Sequence, residues 1–331
     1  MTSSNHLKAL LRSHLEGDNQ RFYSVAMQIA AHEAKMGHGK FAEEIRLMID
    51  DAKKKAKPPG TQPIPISRPR GELGNLLTVS YPASRLGEMV MDKVLSGQLQ
   101  RIIREQRHAS NILAHGLTPR RKLLLIGPPG TGKTMSASVL AGELGLPLLQ
   151  VRLDGLITKY MGETAAKLRQ IFDATDQTRG VYFFDEFDSI GSQRGLSNDV
   201  GEIGRVLNSF LQMIEQDGSH SLIIAATNHP EILDHALFRR FDDILHYDLP
   251  DGEKIISMLK SRLADRVSKR VSWKKLSGIS TGLSYAEITR AADEVLKAAL
   301  IQQREKITEA DIRDMLIERQ NMAQRLKGSA S

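Results

Sequence analysis

The sequence lacks several features that would assign it to common classes of protein. It contains no cysteine, which excludes disulfide bonds and thiolate metal sites. No apolar run approaches the roughly 20 residues that a membrane-spanning helix needs, and residues 1–17 lack the continuous apolar core of a signal peptide. We therefore expect a cytoplasmic protein without a membrane span. Its 331 residues are enough for two or three domains.

The excess of positive charge lies in one segment. The net charge is +7, and residues 53–70 (KKKAKPPGTQPIPISRPR) carry six basic residues and no acidic one. A solvated linker is the interpretation that we favour for such a run. Only 5% of the residues are aromatic, and none alternates with these basic residues to form a surface on which bases could stack. Nucleic acid is therefore not the partner that we expect.

The hydrophobic pattern divides the chain into four segments. Residues 1–52 show helical spacing and predict a small helical domain that recruits a substrate or an adaptor. Residues 53–74 form the basic, proline-rich linker. Residues 75–249 alternate strands with helices, which predicts an α/β fold with a parallel sheet between helices, and residues 250–331 predict a C-terminal helical lid. The predicted strands are 122–127, 147–153, 181–185, 221–227 and 244–249.

A complete phosphate-binding loop, GPPGTGKT, directly follows the first of these strands. It matches G-x-x-x-x-G-K-[ST] in the required context of strand, loop and helix. Backbone N–H groups of such a loop cradle phosphate oxygens, and the following helix adds its positive dipole end. We expect Lys133 to reach the β- and γ-phosphates of ATP and Thr134 to bind Mg²⁺. The whole loop is Gly127, Pro128, Pro129, Gly130, Thr131, Gly132, Lys133 and Thr134.

Polar residues end two further strands of the predicted sheet. The apolar run VYFF is followed by Asp185 and Glu186, and IIAAT ends in Thr227 and Asn228. Ligands of open α/β sheets bind at this edge. We expect Asp185 to hold Mg²⁺ through water, Glu186 to act as the base for an attacking water, and Asn228 to contact that water or the γ-phosphate. A helix cap or a turn is the alternative for each residue alone.

These motifs resemble those of a known family over residues 75–320. GPPGTGKT resembles the Walker A motif of the AAA+ ATPases, and FFDEFDSIG (183–191) and AATN (225–228) resemble their Walker B and sensor 1 motifs. The sequence is most similar to the classical AAA clade of P-loop NTPases. The resemblance implies ATP hydrolysis in a ring-shaped homo-oligomer, usually a hexamer.

The resemblance also implies roles for residues outside the phosphate site. HALFRRFDD (235–243) resembles the arginine-finger segment, so Arg239 and Arg240 would reach the neighbouring subunit's site; an ion pair with Asp242 or Asp243 is the alternative. KYMGET (159–164) resembles pore loop 1, which grips a threaded polypeptide; packing of the tyrosine within its own domain is the alternative. The implied pore residues are Lys159, Tyr160, Met161 and Gly162, and further nucleotide contacts are Met135 and Gly282.

The sequence departs from the family pattern in the lid motif. GLSYAEI (282–288) has Tyr285 where the family has a small residue, which concerns the fit around the adenine or the lid helix. No lid arginine shows a clear nucleotide-sensing position, and Arg194 and Arg205 are further residues that would face the neighbouring site.

ATP-driven remodelling of a protein substrate is the function that we favour on this basis. A nucleotide-switched scaffold and a nucleic-acid motor or loader are the alternatives. The sequence HEAKM (32–36) lacks the second histidine of a zinc protease, so any proteolysis would need a separately encoded protease as partner.

Overall fold

The computed structural model describes residues 72–156, 161–187, 200–232, 238–263, 266–268 and 271–328, with short stretches between 25 and 47. The chain divides into two compact units, Met1–Ile64 and Pro65–Ser331. In the first unit, helical residues precede and follow a turn at 36–37, where Gly37 has a φ of +90°. Its described buried residues are Val25, Ala26, Ala30 and Ala42. The predicted domain boundaries at 52, 74 and 249 stay predictions.

The second unit contains a sheet of six strands in the order β1-β3-β4-β5-β2-β6. The strands are β1 (Leu77–Ser80), β2 (Lys122–Ile126), β3 (Leu148–Val151), β4 (Val181–Phe184), β5 (Leu222–Thr227) and β6 (Asp243–His246). β1 pairs antiparallel with β3, and the other pairings are parallel. The predicted α/β fold with a largely parallel sheet is confirmed. The edge strand β1 was not predicted, because its sequence LTVS is too short and mixed to show a strand period.

The central strands are buried on both faces, which explains their continuous apolar sequences. Alternate residues of each strand enter two separate cores: Leu124 and Tyr182 belong to one, and Leu123 and Phe183 to the other. The first core contains the ring of Phe210, whose centroid lies 4.9 Å from that of Phe184. Parallel sheets need such cover on both sides, and the helices of the second unit supply it.

The helices that cover the sheet begin with short α1 and end with α7. They are α1 (Leu73–Leu76), α2 (Lys93–Arg107), α3 (Ala109–Ala114), α4 (Lys133–Leu144), α5 (Leu153–Leu156), α6 (Met161–Gln177) and α7 (Val200–Gln216), with short 3-10 helices at Leu86–Glu88 and Pro230–Ile232. α2 buries Leu99 and Ile102 in the second core. Its first turn is capped by Asp92, whose carboxylate accepts a hydrogen bond of 2.7 Å from the N–H of Leu95.

Four C-terminal helices form a bundle with a core of its own. They are α8 (Gly252–Leu263), α9 (Trp273–Ile279), α10 (Tyr285–Ile301) and α11 (Glu309–Gly328). Leu259, Leu276 and Ile288 are among its buried residues. α10 starts with a capping box, in which Ser284 and Glu287 satisfy each other's backbone N–H groups. None of the helices in the described ranges is both long and apolar enough to cross a membrane.

The strand register brings the ends of three central strands to one edge. Ile126 at the end of β2 pairs with Thr227 at the end of β5, and Phe184 at the end of β4 pairs with Ala225 of β5. The residues that follow these strands are therefore neighbours in space although they lie far apart in the sequence. This edge carries the polar groups described next.

Candidate active site

The loop between β2 and α4 adopts backbone angles that demand glycine. Gly130 and Gly132 have φ values of +73° and +106°, in the left-handed region. At Gly130, an added Cβ would lie 2.7 Å from Ser284 Oγ and 3.0 Å from Ala286 Cβ. The loop thus passes directly against the start of α10. A hydrogen bond of 3.1 Å from the N–H of Ala286 to the carbonyl of Gly130 fixes this contact.

Lys133 is buried within this loop, with 6% of its surface exposed. Its ammonium donates to the carbonyls of Gly127 and Pro128 at 2.6 and 2.9 Å and to Asn228 Oδ1 at 2.8 Å. A buried ammonium requires such partners because removal from water is costly. The bond to Asn228 connects the start of α4 with the residue that follows β5 and orients the asparagine amide.

Thr134 and Asp185 form a pair that suits a hard divalent cation. The hydroxyl of Thr134 donates to Asp185 Oδ2 at 2.8 Å, so an oxygen from the start of α4 and one from the end of β4 converge. Mg²⁺ is usually held by one or two protein oxygens together with phosphate and water. Within the described ranges, no group of three or more histidine, aspartate or glutamate side chains is placed so that it could hold a metal ion by itself. The donors present therefore fit a magnesium ion that accompanies a nucleotide.

Glu186 has an unusual backbone conformation for a residue other than glycine. Its φ is +49°, in the left-handed region, which is uncommon for such residues and often marks a functional position. Hydrogen bonds hold the backbone there: the N–H of Glu186 donates to Asp185 Oδ1 at 3.0 Å, and that of Phe187 donates to the carbonyl of Ala226 at 2.9 Å. The side chain is exposed and lines the same cavity as Asp185.

These groups share a cavity of about 630 Å³ between the sheet edge and the C-terminal bundle. From the predicted set, the residues that line it are Pro129, Gly130, Thr131, Gly132, Lys133, Thr134, Met135, Asp185, Glu186 and Asn228. Gly127 and Pro128 do not line the cavity, but their carbonyls accept hydrogen bonds from the ammonium of Lys133. Gly282, with a φ of +88°, lies before α10 and is not among the lining residues.

Of the rest of the cavity wall, sequence reasoning had considered only the start of α10, through the lid motif GLSYAEI, and missed the other residues. Glu88, Met89 and Val90 come from the segment before α2 and carry no motif. The bundle contributes Met258, Ser261 and Arg262 from α8 and Tyr285, Ala286, Thr289 and Arg290 from α10. The spacing of four residues between Ala286 and Arg290, which places both on one face of a helix, is a signal that could have identified Arg290. Arg262 is bonded to Asp293 at 2.7 and 3.1 Å.

The two arginines of the predicted finger segment differ in their surroundings. Arg240 is half-buried and forms an ion pair with Glu215 of α7, not with Asp242 or Asp243. Arg239 is exposed. Neither arginine lines the cavity of its own chain. Arg194 lies outside the described residues, as does the side chain of Arg205.

The predicted pore segment is described only from its second half. Lys159 and Tyr160 lie outside the described residues. The backbone of Met161 is described, as the first residue of α6, but its side chain is not. Gly162 is exposed in the first turn of α6. An added Cβ there would meet no atom within 4 Å, so neither contact nor backbone angle requires glycine at this position.

The class of protein follows from the order of strands and the polar groups at their ends. The phosphate loop follows β2, the two carboxylates follow β4, and β5 lies between these strands in the sheet. This arrangement is that of a P-loop NTPase.

Comparison with known proteins gives the family. The family described as ATPase family associated with various cellular activities (AAA) matches residues 123–249. The uncharacterized AAA family ATPase y4kL of Sinorhizobium fredii is 33% identical over 330 residues, which cover 100% of this chain and 98% of that protein. The chain therefore belongs to the AAA family of ATPases, whose members bind and hydrolyse ATP.

Proposed function

We propose that this chain hydrolyses ATP to ADP and phosphate in a ring of identical subunits and uses the turnover to remodel a protein substrate. The observation that carries the ATPase proposal is the convergence of Lys133, the Thr134–Asp185 pair and Glu186 in one cavity. A turn rich in glycine without catalytic function would not require a buried lysine, a hydroxyl–carboxylate pair and a second carboxylate at adjacent strand ends.

In this proposal, the loop binds the triphosphate before any chemistry occurs. Lys133 supplies the positive charge that faces the β- and γ-phosphates, and the N-terminus of α4 adds its dipole. Thr134 and Asp185 would hold Mg²⁺, which neutralises charge on the phosphate oxygens when it is bound. The bundle forms one side of the site, where the N–H of Ala286 is bonded to the phosphate loop.

Glu186 then acts as the general base in the hydrolysis. Its carboxylate takes a proton from water as the water oxygen bonds to the γ-phosphorus and the bond to the ADP oxygen breaks. Asn228, whose amide is oriented by Lys133, lines the cavity with Glu186 and positions this water. An arginine from a neighbouring subunit stabilises the charge that develops on the phosphoryl oxygens and contributes about 10³–10⁵ in rate. Arg239 is the better candidate for this role, because Glu215 holds Arg240.

The remodelling part of the proposal rests on the resemblance of KYMGET to a pore loop. Tyr160 and Met161 would grip an extended polypeptide without reading its sequence, since aromatic faces and thioethers suit promiscuous contacts. Residues 1–52 would recruit the substrate or an adaptor, and a separately encoded protease is a further proposed partner.

The steady-state rate of phosphate release tests both parts of the proposal. We expect wild-type protein to hydrolyse ATP and Glu186→Gln to retain ATP binding while its rate falls by about 10²–10⁴. Lys133→Ala should lose ATP binding. Glu318→Gln is the matched control, because Glu318 is exposed on α11 and does not line the cavity.

The same assay separates the alternative functions when a polymer is added. Stimulation by an unfolded polypeptide such as casein, abolished in Tyr160→Ala, supports remodelling. Stimulation by single-stranded DNA alone would instead favour the nucleic-acid motor, and turnover that responds to neither would favour the scaffold. Unchanged hydrolysis in Glu186→Gln would contradict the assignment of the base.

A further inference from the structure

The wall of the nucleotide cavity contains an aromatic residue whose backbone is held by its neighbours in the chain. Tyr285 is the first residue of α10, lines the cavity and is half-buried. The residues on both sides of it are held: Ser284 takes part in the capping box, and the N–H of Ala286 donates to Gly130 of the phosphate loop. The backbone of Tyr285 is therefore fixed one residue from a direct contact with the loop.

The cavity that Tyr285 lines has apolar as well as polar and charged side chains in its wall. Met89, Val90 and Met258 line the cavity with it. Met89 lies against the start of α4, because the hydroxyl of Ser136 approaches its sulfur at 3.8 Å. The cations on the cavity wall are Lys133 of the loop and Arg262 and Arg290 of the bundle. A nucleoside triphosphate has a highly charged chain, which cations bind, and a flat aromatic base, which suits aromatic and apolar side chains.

Charged side chains also lie near Tyr285. Lys254, Asp251, Asp92 and Asp248 are near enough to interact with it electrostatically. Burial raises the pKa of Tyr285, and the three carboxylates raise it further while Lys254 lowers it. The phenol is therefore protonated at neutral pH.

We propose that Tyr285 is a nucleotide-binding residue whose ring packs on the base of ATP. This inference rests on the proposed ATPase function, since it assigns the base end of the same site. It also gives a role to the residue at which the lid motif departs from the family pattern.

Isothermal titration of Tyr285 variants with Mg²⁺-ATP and with Mg²⁺-tripolyphosphate tests the inference. Tripolyphosphate reports on the loop alone, because it has no base. We expect Tyr285→Ala to weaken ATP binding about tenfold, the effect of losing one aromatic contact with a base, and to leave tripolyphosphate binding within about twofold of the wild type. Tyr285→Phe, which keeps the ring, should bind ATP like the wild type. Tyr81→Ala is the control, because Tyr81 does not line the cavity.

Each other result overturns the inference. Equal loss of both ligands in Tyr285→Ala would mean that the residue only supports the fold of the site, and tighter ATP binding would mean that the ring obstructs the base. Loss of ATP binding in Tyr285→Phe would assign the contact to the hydroxyl. If the wild type does not bind ATP at all, the proposed function is contradicted. If Lys133→Ala loses ATP binding but Tyr285→Ala binds ATP like the wild type, only this inference is contradicted.

Discussion

Replacing Gly130 by alanine tests whether contact between the phosphate loop and α10 is required for nucleotide binding. Gly130 has a φ of +73°, and a Cβ there would lie 2.7 Å from Ser284 Oγ and 3.0 Å from Ala286 Cβ. The second unit offers a matched control. Gly116, after α3, has the same φ of +73°, but an added Cβ would meet no atom within 4 Å.

Both substitutions place alanine in a left-handed backbone conformation, but only Gly130→Ala also brings a Cβ against Ser284. Left-handed backbone costs alanine about 1–2 kcal/mol in either position. In Gly130→Ala, Ser284 must also move, and loss of its helix-capping bond adds about 1 kcal/mol. That extra destabilisation should lower the Tm of Gly130→Ala about 2–4 °C below that of Gly116→Ala.

ATP binding should separate the variants more strongly than stability does. Displacement of α10 breaks the bond between Ala286 and Gly130 and moves the cavity wall that Tyr285 provides. We expect ATP to bind about tenfold more weakly to Gly130→Ala, which corresponds to about 1.4 kcal/mol, and normally to Gly116→Ala. Differential scanning fluorimetry and isothermal titration measure the two effects. Equal ATP affinity in both variants would refute the argument that this contact holds the site together.

Two further predictions concern the proposed finger and the bundle. Arg239→Ala should retain ATP binding but lose hydrolysis. Mixing it with Glu186→Gln should restore part of the rate of phosphate release, because each variant supplies the group that the other lacks. Mixtures without restored activity would contradict action between subunits. In the bundle, hydrogen bonds from Arg304 are the main cause that lowers the pKa of Asp311 to about 2. This folded-state pKa lies below the unfolded value of about 3.9, so the ion pair stabilises the fold above pH 4 and this contribution is lost as the pH falls to 2. Thermal unfolding of Asp311→Asn should show roughly 1 kcal/mol of destabilisation at pH 7, reduced by solvent screening, and little near pH 2; a difference independent of pH would contradict the assignment.

The parts of the fold that sequence predicted are those encoded by contiguous residues. The strands β2 to β6 are each an apolar or β-rich run, and the run is continuous in the central strands because both of their faces are buried. The phosphate loop is likewise a single stretch, since one turn must place several N–H groups around one phosphate. β1 lacks such a signal, because its four residues LTVS form an edge strand whose pairing with β3 only the tertiary structure reveals.

The cavity wall shows the opposite case. Met89, Met258 and Arg290 come from three distant segments, and each residue has an ordinary local context. Only the packing of the bundle against the sheet edge brings them together. The ion pair of Arg240 with Glu215 was missed for the same reason, because sequence neighbours such as Asp242 are the obvious candidates when only the chain is read. Motifs therefore identified the phosphate end of the site and drew attention to Tyr285, whereas the other residues of the cavity wall depended on the fold.

The start of α10 links nucleotide binding to the position of the bundle. Three consecutive residues have distinct contacts: Ser284 caps the helix, Tyr285 lines the cavity, and Ala286 bonds to the phosphate loop. The rest of the bundle core packs on α10 through residues such as Ile288 and Val295. Because a well-packed core transmits displacement instead of absorbing it, a change in the loop or at the base must move α10 and the helices packed on it together. A ligand that binds more tightly when this contact is formed would shift the bundle toward that position, which is the property that an ATP-driven remodelling protein requires of its lid.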